Sequence, residues 1–182
     1  NQCQFGYRDS IFKQAYKGKV VITSVTLSLK KQPDFHITYG AIEQELKRMG
    51  VSGLTIKAIS DAVCNIRRSK LPDPMKIGNA GSFFKNPEVS ASVCNSLKES
   101  YPGVVAYALP NGNFKLAAGW LIEQCDWKGK VVGNTGSHKD QALVLVNYGN
   151  ATGSEIWNLA MAIQESVKSR FGVVIEPEVN VM

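Results

Sequence analysis

Ser82, Lys85 and Asn86 stand together in "GNAGSFFKNP", residues 78–87. A hydroxyl, an ammonium and an amide all need partners, and Gly78 and Gly81 let a backbone come close to something else. If residues 82–86 are extended, side chains alternate. Ser82, Phe84 and Asn86 then share one face and Phe83 and Lys85 the other; one face is for a ligand, and the phenylalanines help fix the strand. Elsewhere, Arg8 in "YRDS" has the fork that clamps a carboxylate with two parallel hydrogen bonds. Lys70 and Lys115 suit phosphate as mobile point charges. Each residue also has a plainer reading. Ser82 caps a turn, Arg8 pairs with Asp9, Glu178 in "EPE" is solvated, the lysines are surface charges, and Tyr39 is a half-buried strand residue. His138 is one of two histidines and has no ligand cluster, so it reads as structural.

The elements that position these residues read as α+β. Residues 20–29 alternate with period two and predict a strand. "FHITYG", residues 35–40, predicts a second, short one. Residues 41–49 predict a helix stopped by Gly50. Residues 57–69 carry Ile59, Ala62, Val63 and Ile66 as an i, i+3, i+4, i+7 stripe, and "LPDP" ends that helix. Ser90 opens a helix to about Ser100. Residues 117–125 predict a short helix and residues 142–147 a buried strand. Thr152 or Ser154 caps the clearest helix, whose apolar face is Ile156, Leu159, Ala160, Ile163 and Val167, with Gly172 as its stop. The tail "VVIEPEVNV" reads as extended.

In the hairpin "AYALPNGNFK" two turns compete. An Asn111-Gly112 turn pairs Ala108 with Lys115. A three-residue loop, 110–112, pairs Tyr107 with Lys115 and has glycine in the left-handed position. The three-residue loop is preferred, because Pro110 would otherwise sit inside the ladder without an N–H to donate.

The chain has 182 residues, 44% hydrophobic and 20% charged, the balance of an ordinary globular protein. No apolar run approaches the roughly 20 residues of a membrane span, and no basic-then-apolar leader is present, so a cytoplasmic location is expected. Cys3, Cys64, Cys94 and Cys125 lack C-x-x-C spacing; four free thiols are favoured over two bridges, and no metal site is expected. The net charge of +6 suggests an anionic partner. The positive charges are dispersed, and Arg67, Arg68 and Lys70 form the tightest cluster. A non-enzymatic basic module that binds a polyanion such as nucleic acid is the alternative reading, although no nucleic-acid motif accompanies the charge. The chain opens without Met and stops inside extended sequence, which reads as a fragment.

The blocks "FGYRDSIFK", "TYG", "KLPDP", "GNAGSFFKNP", "LAAGWLIEQC", "HKDQALVLVN" and "EPEV" occur in the order in which the UDP-N-acetylenolpyruvoylglucosamine reductases carry theirs, and the chain resembles that flavoenzyme family over almost its whole length. The resemblance implies the C-terminal half of such an enzyme. Residues 1–70 would be the end of the flavin-binding domain, 71–172 the substrate-binding domain and 173–182 the return toward the flavin domain. It implies FAD as cofactor, NADPH as co-substrate, a UDP-sugar substrate and an N-terminal flavin-binding half outside this sequence, with neither nucleic acid nor membrane as partner. By resemblance Ser82 is the proton donor, and Arg8 and Glu178 flank the reacting carboxylate, where Glu178 must carry or share a proton. Lys70, Asn86, Tyr107, Lys115 and Gln141 match positions that hold the UDP-sugar, and Tyr39 matches a tyrosine of a closing loop. The chain departs from the family at "GNTGS" before His138 and at Asn180, where an arginine often follows. A glycine-rich turn between strand and helix, fit to cradle a flavin pyrophosphate, is not expected in this chain. The chain alone is therefore expected neither to hold FAD tightly nor to oxidise NADPH.

Overall fold

Capping residues open the three longer helices. The structure is a computed structural model and describes residues 2–38 and 40–180. Thr55 accepts a hydrogen bond from Ala58 N and opens α2 (Ile56–Lys70), satisfying a donor that the first turn leaves free. Leu71 turns extended ahead of Pro72 and closes it. The apolar stripe of α2 packs on α1 (Ile42–Arg48): Ala62 meets Ile42 and Leu46, with Ile59, Val63 and Ile66 beside them. This is the smaller of two hydrophobic clusters among the described residues.

The larger cluster runs from Phe83 to Ile175 and is built on two antiparallel sheets. One sheet has the order β1-β7-β6-β5, from β1 (Gly78–Ser82), β5 (Val131–Val132), β6 (Thr135–Ser137) and β7 (Val144–Asn147). The other has the order β2-β4-β3, from β2 (Glu88–Val89), β3 (Ala106–Ala108) and β4 (Phe114–Leu116). The helices α3 (Ala91–Ser100), α4 (Ala118–Gln124) and α5 (Gly153–Phe171) accompany them, giving the expected α+β class. Ser90 caps α3. Of the two candidate caps for α5, Thr152 is the one used, in a reciprocal box with Glu155. Gly172 ends α5 at φ 66°. Its buried face, Leu159, Ala160, Ile163, Val167 and Phe171, fills the larger core.

The hairpin of β3 and β4 takes the three-residue loop. Tyr107 lies opposite Lys115, Leu109 N–H donates to Asn113 O at 2.8 Å, and Gly112 has φ 82°.

Three readings of the sequence are corrected. Residues 20–29 form no strand, and residues 35–38 form none either; Tyr39 lies outside the described residues. An alternating pattern becomes a strand only where a neighbour completes the ladder, and neither stretch has one among the described residues. The 142–147 strand starts its ladder at Val144. The hairpin of β5 and β6, turning at Gly133 and Asn134, was not expected, although glycine in the first turn position is a recognised signal for it.

Candidate active site

A tight turn presents Tyr7 and Arg8. Gly6 and Asp9 exchange backbone hydrogen bonds of 3.0 and 3.4 Å, which leaves Tyr7 and Arg8 at the corner. Arg8 sits at φ 55°, a left-handed conformation that costs a residue with a Cβ on the order of 1–2 kcal/mol. Lys13 Nζ donates to Arg8 O at 3.0 Å and holds the corner. Asp9 is not the partner of Arg8, because its carboxylate accepts from Ser10 N and Gln14 Nε2. Arg8 Nη1 instead lies 2.9 Å from Glu178 Oε1. Residues from the two ends of the chain thus form one ion pair.

The tail is carried there by backbone bonds. Glu178 N donates to Phe83 O at 2.7 Å and Lys85 N to Glu176 O at 3.0 Å. Ser82, half-buried at the end of β1, is therefore one residue from the strand contact that fixes Glu178. Its hydroxyl makes no hydrogen bond to another described residue. Gly81 at φ 72° and an irregular register between Asn79 and Ser82 bend the strand at this point. Phe83 and Phe84 are both buried, edge to face at 5.2 Å, and Phe84 is only 1% exposed, as suits residues that fix the strand. The face shared by Ser82, Phe84 and Asn86 is closed at its middle. Alternation does separate the next two residues. Lys85 lines a cavity of about 620 Å³ with Arg8, Tyr7, Lys13, Lys17 and Glu178. Asn86 lines a different one.

That second cavity measures about 680 Å³ and lies between the two hydrophobic clusters. Thr38, Gly40 and Ala41 wall it before α1, Arg67 and Lys70 project from the last turn of α2, and Asn86, Tyr107 and Lys115 close the far side. Lys70, Asn86, Tyr107 and Lys115, four residues named by resemblance, thus meet in one place. Asn86 Oδ1 accepts from Ala118 N at 2.9 Å, which leaves its NH₂ as a donor. Lys115 Nζ lies 4.4 Å from the Tyr7 ring centroid and 5.7 Å from that of Tyr107. Gln141 is elsewhere: its amide oxygen lies over Gly119, and it lines neither cavity. Arg67 and Tyr7 were missed. The i, i+3 spacing of Arg67 and Lys70 was a usable signal; nothing near Tyr7 in the sequence points to Lys115.

Two polar clamps hold the walls. Arg48 and Asn65 donate to Glu45, tying α1 to α2 and holding that carboxyl down at about 2. Asn113 and Asn111 each donate to Glu88 at 2.8 Å, which lowers its pKa and fastens the hairpin tip to β2. His138 is buried, and its Nδ1 accepts from Asp140 N. The four cysteines are free thiols. Among the described residues no cluster of His, Cys, Asp or Glu is placed for a metal ion, and no helix is long and apolar enough to cross a membrane.

A flavin pyrophosphate would need free N–H groups at a glycine-rich start of a helix. The connection from β7 to α5 contains Gly149 and Gly153, but several of its N–H groups are taken and an acidic side chain stands at the helix start. Asn147 Oδ1 accepts from Gly149 N and Ala151 N, Thr152 Oγ1 accepts from Glu155 N, and the Glu155 carboxylate sits at the helix start. The residues there do not fit an anionic pyrophosphate.

Residues 73–182 match the family model of the UDP-N-acetylenolpyruvoylglucosamine reductase C-terminal domain. The chain is similar to proteins named UDP-N-acetylenolpyruvoylglucosamine reductase from Pseudomonas putida (52% identical, 98% of this chain, 52% of the relative) and Amoebophilus asiaticus (53% identical, 99% and 53%). A third, from Pseudomonas aeruginosa, is 49% identical over 98% of this chain and 52% of its own. The chain spans about half the length of the curated relatives it matches.

Proposed function

The chain belongs to the UDP-N-acetylenolpyruvoylglucosamine reductase family, and from that premise we propose that it forms the substrate-binding and proton-donating part of such a reductase. In this reading residues 71–172 are the substrate-binding domain, 1–70 the end of a flavin-binding domain and 173–182 a return segment. The whole enzyme works in the cytoplasm on peptidoglycan precursors. It reduces the enolpyruvyl ether of UDP-N-acetylglucosamine to UDP-N-acetylmuramate, with FAD and NADPH as redox partners. The flavin supplies the hydride when bound; no residue of this chain is assigned to hold it.

The residues present have defined work. Lys70, Arg67 and Lys115 offer point charges and a fork to the diphosphate, and Asn86 offers its NH₂. Arg8 exchanges Glu178 for the substrate carboxylate and stabilises the negative charge that develops there. Glu178 shares a proton at that carboxylate. Ser82 Oγ–H gives its proton to the carbanion-like carbon; a hydroxyl is a weak acid, but that carbon is a strong base.

The observation that supports this reading is the convergence of Lys70, Asn86, Tyr107 and Lys115 on one cavity. Calorimetric titration of the chain with the UDP-N-acetylglucosamine enolpyruvyl ether tests it. Saturable one-to-one binding, weakened at least tenfold by combined Lys70→Ala and Lys115→Met changes, is expected. Absence of binding overturns the reading, as does displacement of the sugar nucleotide by a homopolynucleotide with a steep salt dependence.

A further inference from the structure

We infer that Tyr7 is a positioning residue: its ring fixes the Lys115 ammonium in the larger cavity from the same turn that carries Arg8. The inference rests on the reading of that cavity as the sugar-nucleotide site.

Tyr7 belongs to neither hydrophobic cluster and is half exposed. Core packing therefore does not account for an aromatic residue here. Its hydroxyl makes no hydrogen bond to a described residue. What the ring does meet is Lys115 Nζ, at 4.4 Å from the centroid, within the range in which the ring quadrupole attracts a cation. Tyr107 approaches the same ammonium at 5.7 Å, from the strand directly opposite Lys115. A lysine has a flexible four-carbon stem and a charge that points wherever its surroundings allow. Two rings around one ammonium restrict that freedom. The hairpin register supplies one ring, and the N-terminal turn supplies the other.

The turn is itself anchored. Arg8, the next residue, is paired to Glu178, and Glu178 is bonded through its backbone to Phe83. Tyr7 also lines the smaller cavity, the one that holds Arg8, Lys85 and Glu178. The ring thus stands between the two cavities, touching the lysine of one and walling the other. A ligand whose carboxylate replaces Glu178 on Arg8 pulls on the same two-residue corner that holds Lys115. Binding at the carboxylate end and at the phosphate end is coupled through Tyr7.

Tyr7→Leu and Tyr7→Phe, each alone and combined with Lys115→Met, test this. The first readout needs no ligand: the rate at which acetic anhydride acetylates Lys115, measured by peptide mass spectrometry with the exposed Lys139, which lines neither cavity, as internal reference. Tyr7→Leu should raise that rate about two- to fivefold, the range set by one exposed cation–π contact, and Tyr7→Phe should leave it at the parent value. The second readout is affinity for the UDP-N-acetylglucosamine enolpyruvyl ether. Tyr7→Leu should weaken it by a similar factor, Tyr7→Phe should restore it, and Tyr7→Leu should add nothing once Lys115 is methionine. Unchanged acetylation of Lys115 in Tyr7→Leu overturns the inference, and so does full additivity of the two changes in binding. If acetylation follows the expected pattern while Lys115→Met leaves sugar-nucleotide affinity untouched, the positioning stands and the assignment of the cavity falls.

Discussion

Residues 20–29, "VVITSVTLSL", and residues 142–147, "ALVLVN", are both rich in aliphatic and β-branched side chains. The second stretch contains β7, an inner strand of its sheet paired to β1 and β6, with Val144 and Val146 fully buried. The first joins no ladder among the described residues, and Val21, Val25, Leu27 and Leu29 are 73% to 87% exposed. The amino acids are alike and the neighbours are not. Alternation reports a capacity to pair, and burial follows only where other strands and a helix face complete the pairing.

That contrast has a direct energetic test. Leu145, 3% exposed, packs in the larger core, and Leu145→Ala should cost about 2–5 kcal/mol through lost burial and the cavity left behind. Leu27, 73% exposed, should change stability by no more than about 0.5 kcal/mol on the same substitution. Urea unfolding of both variants measures the difference. Equal costs would show that residues 20–29 are buried in solution and would erase the distinction.

Legibility in the sequence follows the same line. The helices could be read because their signals are local: Ser90 and Thr152 cap, Gly50, Pro72 and Gly172 stop, and the apolar stripes repeat within each helix. The hairpin register could be read because Pro110 and Gly112 restrict the backbone within five residues. The pairing of Arg8 with Glu178 could not be read from spacing; only the resemblance placed the two together. The ring of Tyr7 under Lys115 was legible by neither route, since it depends on how an N-terminal turn lies against β4. The strands expected at residues 20–29 and, over the described residues, at 35–38 failed because their partners are a tertiary matter. The burial of Phe83 and Phe84 was legible from their side chains alone, but not that Phe84 would divide Ser82 from Asn86 on their shared face.

The two ends of the chain also differ in how their helical turns begin. Thr152 makes a reciprocal box with Glu155 at α5, whereas Ser10 precedes a single 3₁₀ turn (Ile11–Lys13) without a side-chain cap bond. Thr152→Ala should therefore cost about 1 kcal/mol, within a range of roughly 0.5–2, and Ser10→Ala close to nothing. Thermal denaturation of the two variants sharpens the contrast, and a loss at Ser10 equal to that at Thr152 would break it.

The smallest effect separates the two clusters by what joins them. Apolar packing holds α5 to its sheet, but α1 and α2 share a small apolar contact reinforced by Glu45, which accepts from Arg48 at 2.7 and 2.6 Å and from Asn65 at 2.9 Å. Those bonds, Arg48 first and Asn65 second, lower the Glu45 carboxyl from 4.5 to about 2. Between these values the unfolded chain binds a proton that the folded chain does not, so folding weakens as the pH falls. The contribution is fully present above pH 4.5 and drains away as the pH drops toward 2. Glu45 is half-buried but its main partner, Arg48, is exposed and screened, so the effect is modest and declines further in salt. Amide exchange of α1 and α2 should accelerate over that window, with α5 responding less, and Glu45→Gln should flatten the α1 and α2 response. A Glu45 carboxyl that titrates by NMR with a midpoint above 4 would mean that the clamp is open in solution, and the smaller cluster would then rest on its apolar contact alone.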